Sequence, residues 1–387
     1  MGIQTDLIHR GERPAPSAST ALTTPIYETA TFVFDSARDV ERYQDGSLSA
    51  FLYSRYENPT LVALEEKMAA VDGAEASLVF SSGMAATSTA MFGLLKAGDE
   101  VVCASAIYGG TFHLIEHLLT GFGIKRRFVS LEELRDPARV IGPRTKLLWF
   151  ETPINPTLRC VEIAPIVAAC RKAGVLSGID NTFASPINQQ PLAMGVDLSM
   201  QSATKYLNGH SDVTGGVLSG SKTVLAPINK TRRLLGGVMD PQPAYALSRG
   251  MKTLPLRVAR HNANAMAVAT ALEGHSSVER VYYPGLTSHP DHAIAAKQMS
   301  GFGGMVCIDV KGGQAGAYKA FDGLKVIKRA ASLGGVESLC SLPILTSQYG
   351  LTDEELEKAG VTRGMMRLSI GLEDPEDLIA DLRQALE

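Results

Sequence analysis

One lysine of the chain stands in a setting that favours covalent amine chemistry. Lys205 follows Ser202 and Thr204 at the end of an apolar segment, in the run SATKYLNGH. A lysine amine attacks an aldehyde only when it is unprotonated, and a confined, partly desolvated pocket lowers its pKa. The two hydroxyl groups could donate hydrogen bonds to a phosphate on the same ligand. The run therefore indicates a Schiff-base site for a phosphorylated aldehyde, although a solvated loop end would give the same pattern.

Two more polar positions follow apolar segments. Asp180 comes directly after residues 175–179, and a carboxylate buried at such a point must be paired or neutralised. A protonated pyridine nitrogen would supply that pair and keep the ring electron-withdrawing. The stretch Ser82-Gly83-Met84 leads from an apolar segment into a helical one, where free N–H groups can bind phosphate. A turn aspartate and a simple helix cap are the alternatives for these residues when each is taken singly.

The composition describes an ordinary globular protein with a small-molecule partner. The 387 residues are 45% hydrophobic, which suits two or three folding units. A net charge of -3 without a basic stripe argues against nucleic acid or an anionic membrane as the main partner. The five cysteines are scattered and odd in number, so we expect a reducing compartment, no disulfide framework and no structural metal. With no signal-like or membrane-length apolar run, the expected location is the cytoplasm.

The elements that must position these residues follow an alternating pattern. Between residues 57 and 250, helical stretches separate short apolar segments at 77–80, 100–104, 146–150, 175–179 and 198–201. Strands separated by helices predict an α/β fold with a mainly parallel, doubly wound sheet. Ligands of such sheets bind beyond the carboxyl ends of the strands, and the polar residues described above follow three of these segments.

The pattern also predicts three parts of the chain. Residues 1–56 are rich in Thr, Ser and Pro with little periodicity, so we expect an extended N-terminal arm that contacts a neighbouring subunit. Residues 57–250 form the large domain. Residues 251–387 contain a long helical stretch at 258–272, a strand candidate at 303–310 and a final helix after Pro375. This part is predicted to be a smaller C-terminal α/β domain.

Several motifs in order along the chain resemble the Cys/Met-metabolism family of pyridoxal-phosphate enzymes. This family includes cystathionine γ-synthase, cystathionine γ-lyase, methionine γ-lyase and the homoserine-ester sulfhydrylases. The resemblance rests on Tyr53-Ser54-Arg55 with Asn58-Pro59-Thr60, Ser82-Gly83-Met84-Ala85, Tyr108-Gly109-Gly110-Thr111, Glu151-Thr152-Pro153 with Asn155-Pro156-Thr157, Asp180-Asn181-Thr182-Phe183, the lysine run with Gly209-His210-Ser211-Asp212, Ser332-Leu333-Gly334-Gly335, and Arg367-Leu368-Ser369-Ile370-Gly371-Leu372-Glu373. It covers the chain from the arm to the last helix and implies a fold-type I enzyme.

The resemblance implies pyridoxal 5'-phosphate as cofactor and Lys205 as the residue that binds its aldehyde. Asp180 is expected to pair with the pyridine nitrogen, and Tyr108 to stack on the ring. The other cofactor contacts that the family implies are Gly83, Met84, Ser202 and Thr204 at the phosphate, Asn155 near the phenolic oxygen, Thr182, and Tyr53 with Arg55. Tyr53 and Arg55 would reach the phosphate from a neighbouring subunit. We therefore expect active sites shared between subunits of a homotetramer.

The family also implies a substrate site and a proton shuttle. Arg367 would grip the carboxylate of an amino-acid substrate through its planar fork, with Ser332, Asn155 and Glu337 beside it. The amine of Lys205 would move a proton at the α-carbon, and Tyr108 or Tyr53 would assist at the leaving group. No metal site is expected.

The preferred function at this point is that of a cystathionine γ-synthase, which joins an O-acylhomoserine to cysteine. The residues Gly334 to Leu339 favour the cystathionine γ-synthase and γ-lyase pair over the sulfhydrylases, and Gly110 stands where methionine γ-lyases tend to have cysteine. Ala331, Tyr56-Glu57 and Thr346-Ser347-Gln348 depart from the family pattern. Cystathionine γ-lyase is the nearest alternative, followed by a sulfhydrylase or methionine γ-lyase; an aminotransferase and a non-catalytic module are more distant.

Overall fold

The larger of two sheets carries the strand ends at which the sequence places its polar residues. The computed structural model describes residues 2–11 and 21–387. Seven strands form this sheet in the spatial order β1-β7-β6-β5-β4-β2-β3. Their bounds are β1 Ala76–Phe80, β2 Glu100–Ala104, β3 Lys125–Val129, β4 Thr145–Glu151, β5 Leu176–Asp180, β6 Leu198–Ser202 and β7 Gly216–Gly220. Only β7 is antiparallel to its neighbours, so the mainly parallel α/β sheet predicted from the sequence is confirmed.

Both faces of this sheet are buried, which explains why its central strands are continuous apolar runs and do not alternate between apolar and polar residues. Along β4, Leu147 and Trp149 belong to one core cluster, whereas Leu148 and Phe150 belong to the cluster on the opposite face. Helices cover the two faces and the sheet edge. Their bounds are α3 Pro59–Asp72, α4 Gly83–Leu94, α5 Gly109–His113, which continues into a π-helical turn Leu114–Leu119, α6 Ile163–Ala173, α7 Ser185–Asn188, α8 Lys222–Leu235 and α9 Pro241–Met251.

The C-terminal part has its own sheet and core. Five strands run in the order β10-β11-β12-β9-β8, with bounds β8 Val278–Tyr282, β9 Met305–Val310, β10 Lys328–Arg329, β11 Leu339–Ser341 and β12 Met365–Ser369. The helices of this part are α10 Leu254–Leu272, α11 His292–Gln298, α12 Gly313–Gly323, α13 Asp353–Lys358 and α14 Pro375–Leu386. Apolar residues of α10, α12 and α14 pack against this sheet. The start of α10 packs instead with α3 and α9, so this helix joins the two cores.

The N-terminal segment is less extended than its composition predicts. It contains the helices α1 Ile3–His9 and α2 Ala37–Gln44. Leu7 of α1 is buried in the core cluster that includes α3, so the first residues lie against the chain's own large domain. Extended backbone follows from residue 21, where Thr31 pairs with Tyr53 in an isolated antiparallel bridge. Residues 12–20 of the predicted arm lie outside the described residues.

Two strands of the large sheet, β3 and β7, were not predicted. The strand β3 reads Lys125-Arg126-Arg127-Phe128-Val129 and lies at the sheet edge, where charged side chains reach water and hide the apolar pattern. The strand β7 is rich in glycine and serine. Among residues 2–11 and 21–387, no helix is long and apolar enough to cross a bilayer. The same residues contain no group of three or more metal-ligating side chains.

Candidate active site

A cavity of about 530 Å³ opens at the carboxyl ends of β4, β5 and β6. This is the edge at which doubly wound sheets bind their ligands. The start of α4, the loop before α5 and the C-terminal sheet complete the wall. Most of the residues that the sequence assigns to cofactor or substrate lie on this wall, namely Gly83, Met84, Tyr108, Asn155, Asp180, Thr182, Ser202, Thr204, Lys205, Ser332 and Arg367.

Lys205 is held inside this cavity by a turn that follows β6. Its Nζ donates a hydrogen bond to Ser332 Oγ at 3.1 Å. Burial and the nearby charge of Arg367 lower the pKa of the Lys205 amine, while the carboxylate of Asp180 opposes this shift. A lowered pKa increases the unprotonated, nucleophilic fraction of the amine, which is the form that binds an aldehyde.

Two carboxylates lie side by side at the sheet edge. Glu151 ends β4 and Asp180 ends β5, and the two residues are directly paired in the parallel ladder. Asp180 accepts a hydrogen bond from the backbone N–H of Thr182 at 3.1 Å. Burial raises the pKa of Asp180, and the nearby Lys205 amine lowers it. A cationic group of a ligand beside Asp180 would relieve the cost of burying this carboxylate.

The start of α4 and the end of β6 form a narrow cradle. A Cβ atom added to Gly83 would lie 3.1 Å from both Cβ and Oγ of Ser202, so only glycine leaves this gap open. The Ser82 side chain caps the helix by accepting from the N–H of Ala85. The N–H groups of Gly83 and Met84, in the first turn, have no carbonyl of their own helix to bind. This geometry suits a phosphate at the helix N-terminus.

The substrate side of the cavity centres on a buried guanidinium. Arg367 lies in the middle of β12, and its Nη1 donates to Asn155 Oδ1 at 2.9 Å. Its Nη2 donates a long bond of 3.4 Å to the backbone carbonyl of Ser332. Arg367 Nε is buried and has no hydrogen-bond partner within the described residues. A buried cation with an unused donor is well suited to a ligand carboxylate.

Tyr108 lies at the mouth of the cavity, and 46% of the residue is exposed. Its backbone N–H donates to Glu151 Oε2 at 2.9 Å. A Cβ atom at Gly110 would lie only 2.6 Å from Tyr108 Cε1 and 2.9 Å from Met84 Sδ. Glycine at position 110 therefore lets the tyrosine ring lie close to the backbone of α5 and to Met84. This placement leaves the phenol free to contact a ligand.

Two predicted residues lie outside the cavity of their own chain. Tyr53 and Arg55 line a separate surface pocket with residues 236–241. The guanidinium of Arg55 lies over the ring of Tyr56 at 4.9 Å and also donates to the backbone carbonyl of Arg233. Their expected contribution from a neighbouring subunit stays a prediction.

The geometry does not support the assignment of Glu337 to the substrate. Glu337 is absent from the cavity wall. Its carboxylate accepts a hydrogen bond from Ser211 Oγ instead. The N–H of the preceding Val336 donates to Gly209 O at 3.0 Å, which ties this turn to the loop after Lys205. The resemblance identified the motif correctly but gave no information on the direction of this side chain.

The cavity wall also contains residues to which the sequence assigns no catalytic or binding role. Glu151, Thr214, Thr346 and Ser347 line the wall, and Glu151 is the only one of them that is buried and acidic. Glu151 directly follows the predicted strand at 146–150 and stands in a family motif. Its place beside Asp180 depends on the order of the strands in the sheet, which the sequence does not give. The other three residues follow no strand end or helix start.

The wall as a whole fits a phosphorylated aromatic aldehyde. The Gly83 cradle would hold the phosphate, the buried carboxylate of Asp180 would hold a ring cation, and the amine of Lys205 would bind the aldehyde. An amino-acid carboxylate would then reach Arg367. These residues come from four separate segments of the chain, which only the fold brings together.

Comparison with known proteins agrees with this site. The model of the family described as Cys/Met metabolism PLP-dependent enzymes matches residues 4–387. The L-methionine gamma-lyase of Pseudomonas putida is 40% identical over 388 residues, which cover 100% of this chain and 97% of that protein. The chloroplastic cystathionine gamma-synthase 1 of Nicotiana tabacum is 41% identical, over 98% of this chain and 71% of the relative.

A third relative adds a reaction that the sequence motifs did not suggest. The cystathionine beta-lyase of Lactococcus lactis subsp. cremoris (strain MG1363) is 41% identical, over 100% of this chain and 99% of that protein. Among solved structures, metB from Corynebacterium glutamicum superposes with a TM-score of 0.93 at 38% identity, and covers 100% of this chain and 98% of that one. Proteins of three different activities thus lie at almost the same distance from this chain.

Proposed function

The chain belongs to the Cys/Met metabolism family of PLP-dependent enzymes, and from this premise we propose that it replaces the γ-substituent of an O-acylated homoserine with cysteine to give cystathionine. The family and the trans-sulfuration chemistry are common to all the relatives above. The choice of reaction is ours. The single observation that supports this reaction is the lining of the cavity. One buried arginine, Arg367, can bind a substrate carboxylate at the inner end, and the mouth is lined by side chains that are small or carry a hydroxyl group.

The inner part of the cavity suits one amino acid. Arg367 would bind its carboxylate, and the bond to Asn155 would hold the guanidinium in place. The Lys205 amine, 3.1 Å from Ser332 Oγ, would accept the α-proton and return it elsewhere on the substrate. When bound, pyridoxal phosphate supplies an electron sink that stabilises negative charge at the substrate carbon. Asp180 would hold the ring nitrogen in its protonated form.

The outer part of the cavity favours a second amino acid over water alone. Lys205 and Arg367 are the only cations on the wall among the described residues, so a second carboxylate would rely on neutral donors. Thr346 and Ser347 line the mouth, but their hydroxyl groups donate to the Leu342 carbonyl and to Gln348 Oε1, so each would have to rotate to donate to that carboxylate. Ala331 leaves space where a longer side chain would fill the mouth. Tyr108, exposed at the same mouth, is placed to move a proton at the departing γ-group. Replacement by cysteine requires this room, and so does any reaction of cystathionine, whereas elimination from a smaller substrate such as methionine does not.

We also propose that the active enzyme is at least a dimer, and expect a homotetramer. Tyr53 and Arg55 line a pocket on the surface of their own chain. Arg55 donates to the carbonyl of Arg233, and the next two residues, Leu234 and Leu235, are exposed apolar side chains. A second subunit would cover this surface. Tyr53 and Arg55 would then lie at the cofactor phosphate of that second subunit. A monomer with full activity at assay concentration would contradict this arrangement.

The proposal is tested by assaying the purified holoenzyme on acetyl-, succinyl- and phosphohomoserine, each with and without cysteine or sulfide. Cystathionine and methionine are assayed alone. We expect cystathionine to form faster from an acylhomoserine and cysteine than any 2-oxo acid forms from any substrate. The Lys205→Ala variant, which keeps the rest of the wall, should lose turnover in every assay.

The relatives supply the outcomes that would overturn this choice. Release of pyruvate from cystathionine as the fastest reaction would identify a β-lyase, and release of a 2-oxo acid and methanethiol from methionine would identify a methionine γ-lyase. The β-lyase is the second candidate, because a relative with that name is 41% identical over the whole chain. Either result would show that room at the cavity mouth does not determine the reaction.

A further inference from the structure

A buried carboxylate beside the proposed cofactor site has no role in the chemistry described above. Glu151 is 5% exposed and lies on the cavity wall next to Asp180. Burying two neighbouring carboxylates is costly, because each loses water and repels the other. Burial and the charge of Asp180 both raise the pKa of Glu151, whereas two backbone N–H donors lower it. A side chain retained at such cost needs a specific reason.

The two N–H donors belong to two different loops of the cavity. Glu151 Oε2 accepts from the N–H of Tyr108 at 2.9 Å, and Glu151 Oε1 accepts from the N–H of Asn155 at 3.0 Å. Tyr108 lies 43 residues before Glu151 and directly precedes α5, whereas Asn155 lies in the loop that follows β4. One carboxylate therefore fixes the backbone of two loops that otherwise approach the site from separate directions.

Each of these loops carries a side chain that the proposed reaction uses. The first carries the Tyr108 phenol at the cavity mouth. The second carries Asn155, whose Oδ1 accepts from Arg367 Nη1 at 2.9 Å. The hydrogen bonds thus run from Tyr108 through Glu151 and Asn155 to Arg367. A shift of either loop would move a group that contacts the substrate.

Both partners of Glu151 are donors, so each of its oxygens must accept. Burial and Asp180 raise the pKa of Glu151 to about 8, but a carboxyl group keeps a lone pair on each oxygen with or without its proton, whereas an amide in its place offers one acceptor and one NH2 donor. In a glutamine variant, one backbone N–H would face another donor and lose its bond. The shape would be almost unchanged, so a purely space-filling role would tolerate this substitution.

We propose that Glu151 is a positioning residue that sets the placement of Tyr108 and of the Asn155–Arg367 pair through its two bonds to backbone N–H groups. It acts through these residues and does not itself touch the reacting atoms. The kinetic part of this inference rests on the proposed function, because KM and kcat can be measured only with an amino-acid substrate that the enzyme converts. The structural part does not.

The experiment compares wild type with Glu151→Gln by amide hydrogen exchange of the apoprotein, followed by mass spectrometry. Peptides that contain the Tyr108 or the Asn155 amide should exchange about tenfold faster in the variant, because a buried amide that loses its acceptor loses its protection. In the holoenzyme, KM for the amino-acid substrate should rise, kcat should fall, and the visible circular dichroism of the bound cofactor should change. A loss of about tenfold to a hundredfold in kcat/KM is expected.

A matched control lies at the other end of the same sheet. Asp197 precedes β6 and accepts from both the N–H and the hydroxyl of Ser177, at 2.8 and 2.7 Å. Both bonds go to one oxygen, Oδ2, which an amide oxygen can replace. Asp197→Asn therefore makes the same carboxylate-to-amide change away from the two loops, and KM, the cofactor dichroism and the exchange of the two loop peptides should stay at their wild-type values.

A double-mutant cycle tests whether Glu151 acts through Asn155. Asn155→Ala breaks the bond to Arg367 directly, so adding Glu151→Gln should raise KM by less than the product of the two single effects. Fully multiplicative effects on KM, or unchanged exchange in Glu151→Gln, would overturn the proposal.

If Glu151→Gln does not fold, Glu151→Asp provides the second variant, since it keeps both oxygens. If that variant fails as well, fast exchange of the Tyr108 and Asn155 amides in wild type would still refute the inference. A wild type that is inactive in every assay would refute the proposed function while leaving the exchange test intact.

Discussion

A buried arginine behind the Lys205 turn provides a sharp test of how the fold positions that lysine. Arg257, near the start of α10, donates from Nη1 to the carbonyl of Tyr206 at 2.7 Å. Its Nη2 donates to the carbonyls of Leu207 at 3.3 Å and Gly250 at 2.9 Å. The first two carbonyls belong to the residues directly after Lys205. We predict that Arg257→Met loosens this turn and destabilises the large domain.

The size of the effect follows from the three carbonyls. Each buried carbonyl that loses its donor costs about 1 to 3 kcal/mol, so a lower bound for three of them is about 3 kcal/mol. Burial lowers the pKa of Arg257 to about 10, which still leaves the guanidinium charged at neutral pH. The methionine variant regains the cost of burying that charge, which offsets part of the loss. A net loss of about 2 to 4 kcal/mol is therefore expected.

The packing of the turn supports this estimate. Gly209 has a positive φ of 73°, and a Cβ atom there would lie 1.9 Å from Arg257 Nη1. The guanidinium thus occupies the space beside the glycine, and the methionine side chain cannot replace its hydrogen bonds. Arg257→Lys keeps the charge but loses the planar fork, so it should retain only part of the stability.

The assay is urea unfolding of the apoprotein, followed by the fluorescence of Trp149. This is the only tryptophan in the sequence, and it is fully buried in β4 of the large sheet. Arg260→Met is the matched control, because Arg260 lies one turn further along α10 and makes an exposed ion pair with Asp374 and a 3.3 Å bond to the carbonyl of Glu373. That control should change the free energy of unfolding by less than about 0.5 kcal/mol. If Arg257→Met unfolds at the wild-type urea concentration and keeps its cofactor equally well, the reasoning is wrong.

Two further predictions concern buried charges. Burial raises the pKa of Asp72 from 3.8 to about 7 against the hydrogen bond from Ser219, so the folded state keeps a proton that the unfolded state loses between these values. The free energy of unfolding should therefore fall as pH rises from about 4 to 7. Urea titrations at several pH values measure this dependence, and Asp72→Asn should remove it. A variant with the same pH dependence as wild type would refute the raised pKa of Asp72. Arg367→Lys should raise KM for the amino-acid substrate by about tenfold to a hundredfold with a smaller effect on kcat, because an ammonium cannot bind Asn155 and a carboxylate in one plane. Steady-state kinetics with Arg363→Lys as an exposed control would measure this, and equal KM values in both variants would contradict it.

The central strands of the fold were predictable from the sequence because their patterns are local. β2 matches its predicted bounds, and β4, β5 and β6 each differ by one residue at one or both ends. These strands are buried on both faces, so their apolar runs stand out. β3 and β7 were missed because an edge strand with Lys125, Arg126 and Arg127 and a strand of small residues carry no such run.

The residues that perform chemistry were predictable where they follow these strands. Asp180 and Ser202 end β5 and β6, and Lys205 comes three residues after Ser202. Since parallel strands end at one edge of the sheet, their meeting in one cavity follows from topology alone. Arg367 was found only through the family motif, because it lies in the middle of a strand from the second sheet.

The positions of Glu151 and Glu337 show where reasoning from sequence stops. Both residues stand in motifs of the family, yet only Glu151 faces the cavity. Its importance depends on N–H donors at Tyr108 and Asn155, and the first of these is 43 residues away in the chain. Glu337 is drawn away by Ser211, which is 126 residues distant. A motif records which residue type occupies a position, but the direction of a side chain is decided by partners that the fold brings from elsewhere. Positioning residues should therefore be sought among buried charges whose hydrogen bonds join two loops, since that arrangement is visible only in three dimensions.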